Sequence, residues 1–529
     1  MDRRQFLYAI AVGSAATACA KKTGTSGGSS APASVSLATP KPPSGTLPLN
    51  LFSLGVASGD PTHDRVILWT RLVSDPLTHN QNPLTEAVEV AYDVATDAEF
   101  SSLIVSGVAT ATPELGHSVH VDVTGLDANS WYYYRFRIGN QVSPVGHTRT
   151  FPPADQPADR LKFVFASCQD FQWGTFVLWN HASQEADLDA VVFLGDYIYE
   201  LNLGDLSPNK DGSRVWKSPT PETLSDYRSR YAQTKTDAML QKAHAAAPWL
   251  VTFDDHEVSN NYAGDVGQGD INQPKSKTRR LAAYQAWYEH TPIRLDPNLS
   301  NFDDLIVHRN FTFGSLANLI LIETRQHADA PPCRTATSGM SDDGPDCAER
   351  EDPKRTNLGE TQEQWLTTTL TTSDTTWNVL CNPLMFSTVN IGTKESPQFT
   401  RDTWDGYPLA RDRLIDTITS HKVSNPVIVT GDWHASFVLD VRKTPDGPSV
   451  MPEFVGSSIT TLIFGTDYRP ANPQIKYFAD KHCYCVATVT PDSFTCAFKY
   501  VDDVWNLAAP ISTVDSFVVK AGSPSVERA

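Results

Sequence analysis

The sequence is short of positive charge. Among 529 residues, 43 are Lys or Arg against 61 Asp or Glu, a formal charge of −18 at pH 7, and no long basic run interrupts the deficit. A protein that grips nucleic acid through its phosphates needs the opposite balance, so no nucleic-acid-binding surface is expected. An acidic surface also repels anionic substrates, so a site that processes phosphate must bring cations of its own. Long apolar stretches are equally scarce. Beyond the first 20 residues none approaches the ~20 residues a helical membrane span requires, and a soluble body is expected. What is present excludes disorder along the whole length. The chain is 40% hydrophobic and 10% aromatic, enough for a large core, and its length allows about two to four domains.

Residues 1–19, MDRRQFLYAIAVGSAATAC, read as an address rather than as fold. Arg3 and Arg4 precede Gln5, Phe6 and Leu7, and the apolar run that follows ends at Ala18. That run is too short to span a bilayer and suits a signal peptide. Its start resembles the twin-arginine export signal, which carries folded proteins across a membrane. The twin-arginine machinery is therefore an expected partner, and the expected location is periplasmic, secreted or lipid-anchored at the cell surface. Ala16-Thr17-Ala18 fits a cleavage site, and Cys19 directly after it also fits a lipid attachment site. Residues 20–48 are rich in Gly, Ser, Thr, Ala and Pro and read as a flexible linker.

From residue 49 to about 155 the chain shows short alternating segments: RVILWTRL (65–72), AVEVAYDVA (87–95), SVHVDVTGL (118–126) and SWYYYRFRIG (130–139). Turn residues separate them at the spacing of an antiparallel β-sandwich. The stretch from Gly125 to Gly139 resembles the late strands of a fibronectin type III module. Over residues 156–510 the pattern changes. Apolar runs at 161–168, 188–196, 248–257 and 425–436 end abruptly on Cys, Asp or His, with helical stretches expected over 169–186, 224–247 and 277–290. This is a layered α/β fold with its site at the strand ends. Residues 511–529 form a C-terminal tail, either a gate or a docked strand. Cys333 and Cys347 bracket a Gly/Ser/Asp-rich loop in the manner of a loop staple. Cys483, Cys485 and Cys496 could supply a second bridge, with Cys381 another possible partner, and connectivity stays open.

Four clusters carry the chemistry: Ser167-Cys168-Gln169, Gly195-Asp196-Tyr197-Ile198-Tyr199-Glu200, Asp254-Asp255-His256-Glu257 and Gly431-Asp432-Trp433-His434. Each follows a β-like run and sets oxygen, thiolate or imidazole donors at a strand tip. Buried carboxylates carry a penalty of several kcal/mol each unless paired or metal-bound, so convergence of these tips calls for cations. Asp196 is the natural bridging carboxylate. Two metals held this way bind a phosphoryl group and activate water.

The segments FASCQDFQWGTF, FLGDYIYE, DDHEVSNNYAGD, RRLAAYQAWYEHTP, LGETQEQWL, DTWDGY and GDWHASF, spread over about residues 52 to 500, resemble the PhoD-type alkaline phosphatase and phosphodiesterase family within the metallophosphoesterase superfamily. The resemblance implies a metallophosphoesterase-like catalytic domain behind the N-terminal sandwich, and a site of Fe3+ and Ca2+. It puts Cys168, Asp196, Tyr199 and His434 around iron, and Asp255 and Asp432 on calcium, with Asn261 or its neighbour Asn260 beside them. His256 falls where a histidine protonates the leaving oxygen or steadies the transition state. Arg325, after the run LILIETR, would either touch phosphate, as Arg forks do, or pair with a nearby acid. Tyr197 alternates with Tyr199 and should pack away from the site. Trp433 departs from the family's usual small aliphatic residue and should reshape the pocket entrance. The expected activity is hydrolysis of phosphate monoesters, and of diesters, at alkaline pH. One rival within the class is a predominantly phosphodiesterase or phospholipase D-like enzyme. A rival from another class is an exported binding protein whose metals are structural.

Overall fold

A computed structural model describes residues 35–42, 44–78, 84–202, 208–209, 212–267, 275–295, 297–298, 300–334 and 343–529. The expected leader, most of the linker and Cys19 lie outside these residues. Two large mixed sheets face each other. The first has eleven strands: β1 (Val56–Gly59), β2 (Arg65–Arg71) and β3 (Ser118–Thr124) come from the N-terminal region, and β4 (Leu161–Gln169), β5 (Ala190–Phe193) and β6 (Trp249–Val251) from the α/β region; β4, β5, β6 and β1 form its central parallel run, and β2 and β3 continue it antiparallel. The second has seven strands, with the parallel run β7 (Ala317–Leu321), β8 (Trp377–Asn382), β9 (Pro426–Thr430) and β10 (Met451–Val455).

Period-two alternation decides which side chain enters which layer. On β4, Phe163 and Phe165 point between the sheets and meet Leu319, Val379, Val429 and Phe454 of the second sheet. Val164 and Ala166 point the other way, into a layer made by α1 (Val177–Ala182), α2 (Leu224–Thr234), α3 (Ala238–Ala246) and α4 (Lys275–His290). Ile320, Leu380 and Ile428 face outward from the second sheet onto α5 (Glu360–Thr371) and α6 (Pro408–Ser420). Sheets buried on both faces explain why their central strands read as continuous apolar runs.

The N-terminal region packs a second, five-stranded sheet on β2 and β3. Val66, Leu68, Val121 and Val123 lie against Val90, Val94, Tyr134 and Phe136. Its other sheet does not stop at a domain border, because β1 pairs in parallel with β6 through Gly59 and Trp249. The buried Asp60 carboxylate accepts from Arg309 at 2.9–3.1 Å, and Trp69 Nε1 donates to the Glu289 carbonyl at 3.0 Å.

Several local expectations change. The helix expected over 224–247 is two helices, because Asp237 caps the second by accepting from the N–H groups of Met239 and Leu240. Of the stretch 169–186, only Val177–Ala182 is α-helical. The loop staple Cys333–Cys347 forms. The second bridge does not: Cys381, Cys483, Cys485 and Cys496 are buried free thiols. Cys381 sits on β8 of the other sheet, and across the 483–500 hairpin Cys483, Cys485 and Cys496 face Tyr500, Phe498 and Ala487, so no two cysteines oppose each other. The segment left open as gate or docked strand pairs as strands Ser512–Lys520 and Val526–Arg528 at the outer edge of the first sheet.

Candidate metal centre

β4, β5 and β6 are parallel neighbours in one sheet and β9 belongs to the other, and all four direct their C-terminal ends to one cleft. At the tips the backbone turns left-handed at non-glycine residues. The φ angles are +60° at Cys168, +59° at Asp196, +50° at Asn261, +63° at Asp432 and +54° at His434. This conformation costs an L-residue roughly 1–2 kcal/mol, and such strain collects at functional sites. The glycines before two of the aspartates are dictated by close approach. A Cβ at Gly195 would lie 2.5 Å from Asp254 Cβ, and one at Gly431 would lie 2.6 Å from Ser167 Oγ. Backbone bonds lock the tips together: Cys168 N donates to Gly195 O at 3.1 Å, and Gln169 N to Asp196 O at 2.9 Å.

Three groups of donors result, each with its ligand atoms within 4.8 Å of one another: Cys168, Asp196 and His434; Asp196, Asp255 and His256; and Asp254, Asp255 and Asp432. Asp196 belongs to the first two and Asp255 to the last two, so the groups are contiguous. The Tyr199 hydroxyl donates to Asp196 Oδ2 at 2.9 Å and lies 3.1 Å from His434 Nε2. Asn261 donates its backbone N–H to Asp255 Oδ2 at 2.6 Å, and its side chain lines the cleft.

Burial, and the carboxylates around them, push the Asp196, Asp432, Cys168 and Tyr199 groups well above their ordinary pKa values. For Asp196 the nearby His256 works in the other direction. Burial and the charge of His256 hold His434 down to about 3, a neutral imidazole. His256 behaves oppositely: burial opposes its charge, but Asp255, Glu200 and Asp196 outweigh burial and raise its pKa well above the usual value. Its Nδ1 lies 2.7 Å from Glu200 Oε2, which leaves Nε2 for the cleft side, 3.9 Å from Asp255 Oδ2.

The donor set fits cations. Among the described residues Asp254 Oδ2 is buried without a hydrogen-bond partner, and Asp255 Oδ1 has only a terminal nitrogen of Arg325 at 3.5 Å; such under-satisfied oxygens are what a hard cation takes up. Thiolate, phenolate and imidazole at the Cys168 end suit a strongly polarising transition metal, and the all-carboxylate end suits an oxygen-seeking ion.

Every expected ligand converges here: Cys168, Asp196, Tyr199, Asp255, Asn261, Asp432 and His434, with His256 beside them. Arg325 does not join them as a phosphate ligand. It is 1% exposed and absent from the cleft lining. Its Nε donates to Asp254 at 2.5 Å, and its two terminal nitrogens bind Asp402 at 2.8 and 3.0 Å. The guanidinium is thus engaged by nearby acids, the second of its two expected roles. Tyr197 packs on the helix side, its hydroxyl 2.7 Å from His244 Nε2. Trp433 does line the cleft. Glu200, Glu257 and Asp402, whose types and spacing assign them no role in the sequence, support the donors here. Glu257 accepts backbone N–H groups of Asp196, Tyr197 and Asp254 at 3.0, 2.5 and 2.8 Å, tying two ligand loops together. Their membership in the segments FLGDYIYE, DDHE and DTWDGY was the available signal.

The cleft encloses about 400 Å³. Among known proteins, residues 163–498 match the model of the PhoD-like phosphatase family, and residues 40–152 match that of the PhoD-like phosphatase N-terminal domain. Alkaline phosphatase D of Bacillus subtilis (strain 168) is 42% identical over 478 residues, covering 88% of this chain and 80% of that protein. A solved structure of PhoD superposes with a TM-score of 0.85 at 39% identity, covering 92% of this chain and 93% of that one.

Proposed function

Because the chain belongs to the PhoD-like phosphatase family and is a phosphoric ester hydrolase, we propose that it is an exported, metal-dependent alkaline phosphatase acting on monoesters and diesters. The observation that carries the metal reading is the convergence of Cys168, Asp196 and His434 with the Tyr199 hydroxyl on one buried point. In this reading Cys168, Asp196, Tyr199 and His434 hold Fe3+, while Asp255, Asp432 and Asn261 hold Ca2+. Asp254, kept in place by Arg325, borders the calcium side. When bound, such cations neutralise the phosphoryl oxygens and acidify water beside them.

The protein's own groups do the rest. Asp196 spans both donor groups and fixes their spacing. Glu200 orients the His256 imidazole, whose Nε2 gives its proton to the departing ester oxygen. Arg325 and Glu257 keep the Asp254 and Asp196 loops at their mutual distance. The two facing sheets with helices on both outer sides support a metallophosphoesterase-type layering, and the N-terminal sheets support a fibronectin-like module. Export through the twin-arginine route, with Cys19 as a lipid attachment point, completes the reading and rests on residues 1–19.

The test is hydrolysis of a chromogenic phosphate monoester and its diester at about pH 9, with and without a calcium chelator. Chelator-sensitive turnover is expected, and the ratio of the two rates separates monoesterase from diesterase. The holoprotein should absorb in the visible through its phenolate, and Tyr199→Phe should bleach it. Colour that survives this change would remove Tyr199 from the iron site.

A further inference from the structure

The cleft is lined by polar residues, among them Asn260, Asn261, Asp343 and Thr400, and by an apolar set, Ile391, Trp433, Phe464 and Tyr468. Phe464 lies flat on His434, with ring centroids 5.1 Å apart and planes 16° from parallel, and its N–H donates to the His434 carbonyl at 3.3 Å. Trp433 meets Tyr468 edge-on at 6.1 Å and is backed by Phe437 in the same arrangement. Phe464, on the cleft lining, is 45% exposed. Among the described residues no Lys or Arg lines the cleft, and Arg325 is engaged by Asp254 and Asp402.

We propose that this aromatic wall is the subsite for the organic substituent of the ester, and that Phe464 and Tyr468 select flat, uncharged substituents over sugars. The inference rests on the phosphatase reading above. With the phosphoryl group at the Asp196 and Asp432 end, the substituent extends toward the mouth along this wall. A planar ring there stacks on Phe464 against the edge of Tyr468 and buries apolar surface on both partners. A sugar presents no flat face to stack on Phe464 and gives up water from its hydroxyls against that ring.

The experiment compares kcat/KM for 1-naphthyl phosphate and glucose 6-phosphate in the metal-loaded full chain, in Phe464→Ser and in Tyr468→Ser. Taking the ratio between substrates and then between variants cancels the intrinsic difference in leaving groups. Each substitution should lower the naphthyl-to-glucose ratio about five- to tenfold, chiefly through KM, and Phe464→Tyr should restore it. Calorimetric affinity for phenylphosphonate relative to methylphosphonate should fall in parallel. Unchanged ratios in both measurements overturn the subsite, even where overall turnover drops. Absence of turnover of every ester by the unaltered protein overturns the phosphatase reading, and this inference with it.

Discussion

At the scale of single residues, burial decides what each charged group can do. Lys235 is 1% exposed, its Nζ 4.5 Å over the Trp69 ring and 4.9 Å over Tyr197. Burial lowers its pKa from 10.5 to about 7. Between those two values the unfolded chain binds a proton that the folded chain lacks, so raising the pH through this window stabilises the fold. Below about pH 7 both states are protonated and the cost of burying the ammonium is fully present. Urea midpoints should therefore rise from pH 7 toward pH 10 by more in the native protein than in Lys235→Met; equal slopes would show that Lys235 titrates normally. Arg325 is the opposite case, a cation locked between acids. Arg325→Met removes the guanidinium from the buried Asp254 and Asp402 carboxylates, and should lower unfolding free energy by about 3–5 kcal/mol. A loss under about 1 kcal/mol with a raised KM would return Arg325 to the substrate.

At the scale of elements, the strand tip is the working unit. A strand delivers an apolar side chain to the core and, one residue later, must present a donor to the cleft without lengthening. The Gly-Asp pairs at 195–196 and 431–432 do this by letting a neighbouring tip pack where a Cβ would be. Gly195→Ala should push Asp196 away from Asp254 and reduce hydrolysis by about 100-fold or more, since displacements near 1 Å have that effect on positioned groups. Wild-type turnover in that variant would mean that the tip has slack. These tips were legible because hard donors directly after apolar runs have few structural uses. Helix lengths were less so. The break before Ala238 depends on one capping aspartate inside a stretch of otherwise uniform helical character. The three cysteines of the 483–500 hairpin misled for a similar reason: proximity in sequence suggests a bridge, while strand register sets them out of opposition.

At the scale of the whole molecule, the N-terminal region and the α/β region share a sheet. Pairing of β1 with β6, the Asp60–Arg309 bridge and the Trp69 bond to Glu289 all cross the expected border near residue 155. A chain beginning at residue 156 would bare the β6 edge that β1 covers. It should aggregate or elute as an expanded species, judged by size exclusion and circular dichroism. A compact, active fragment would show that the N-terminal region is dispensable.

The sequence by itself determined the class of fold, the four donor clusters and the expectation of cations, because alternation, apolar runs and donor type are local properties. Tertiary structure alone decided how the clusters group, that Arg325 serves acids rather than substrate, that Glu200 and Glu257 support the ligands, and that Phe464 and Tyr468 stand at the mouth. Those roles depend on which loops face one another across two sheets. Residues up to about 270 positions apart meet in the cleft, and no local pattern encodes a distance between them.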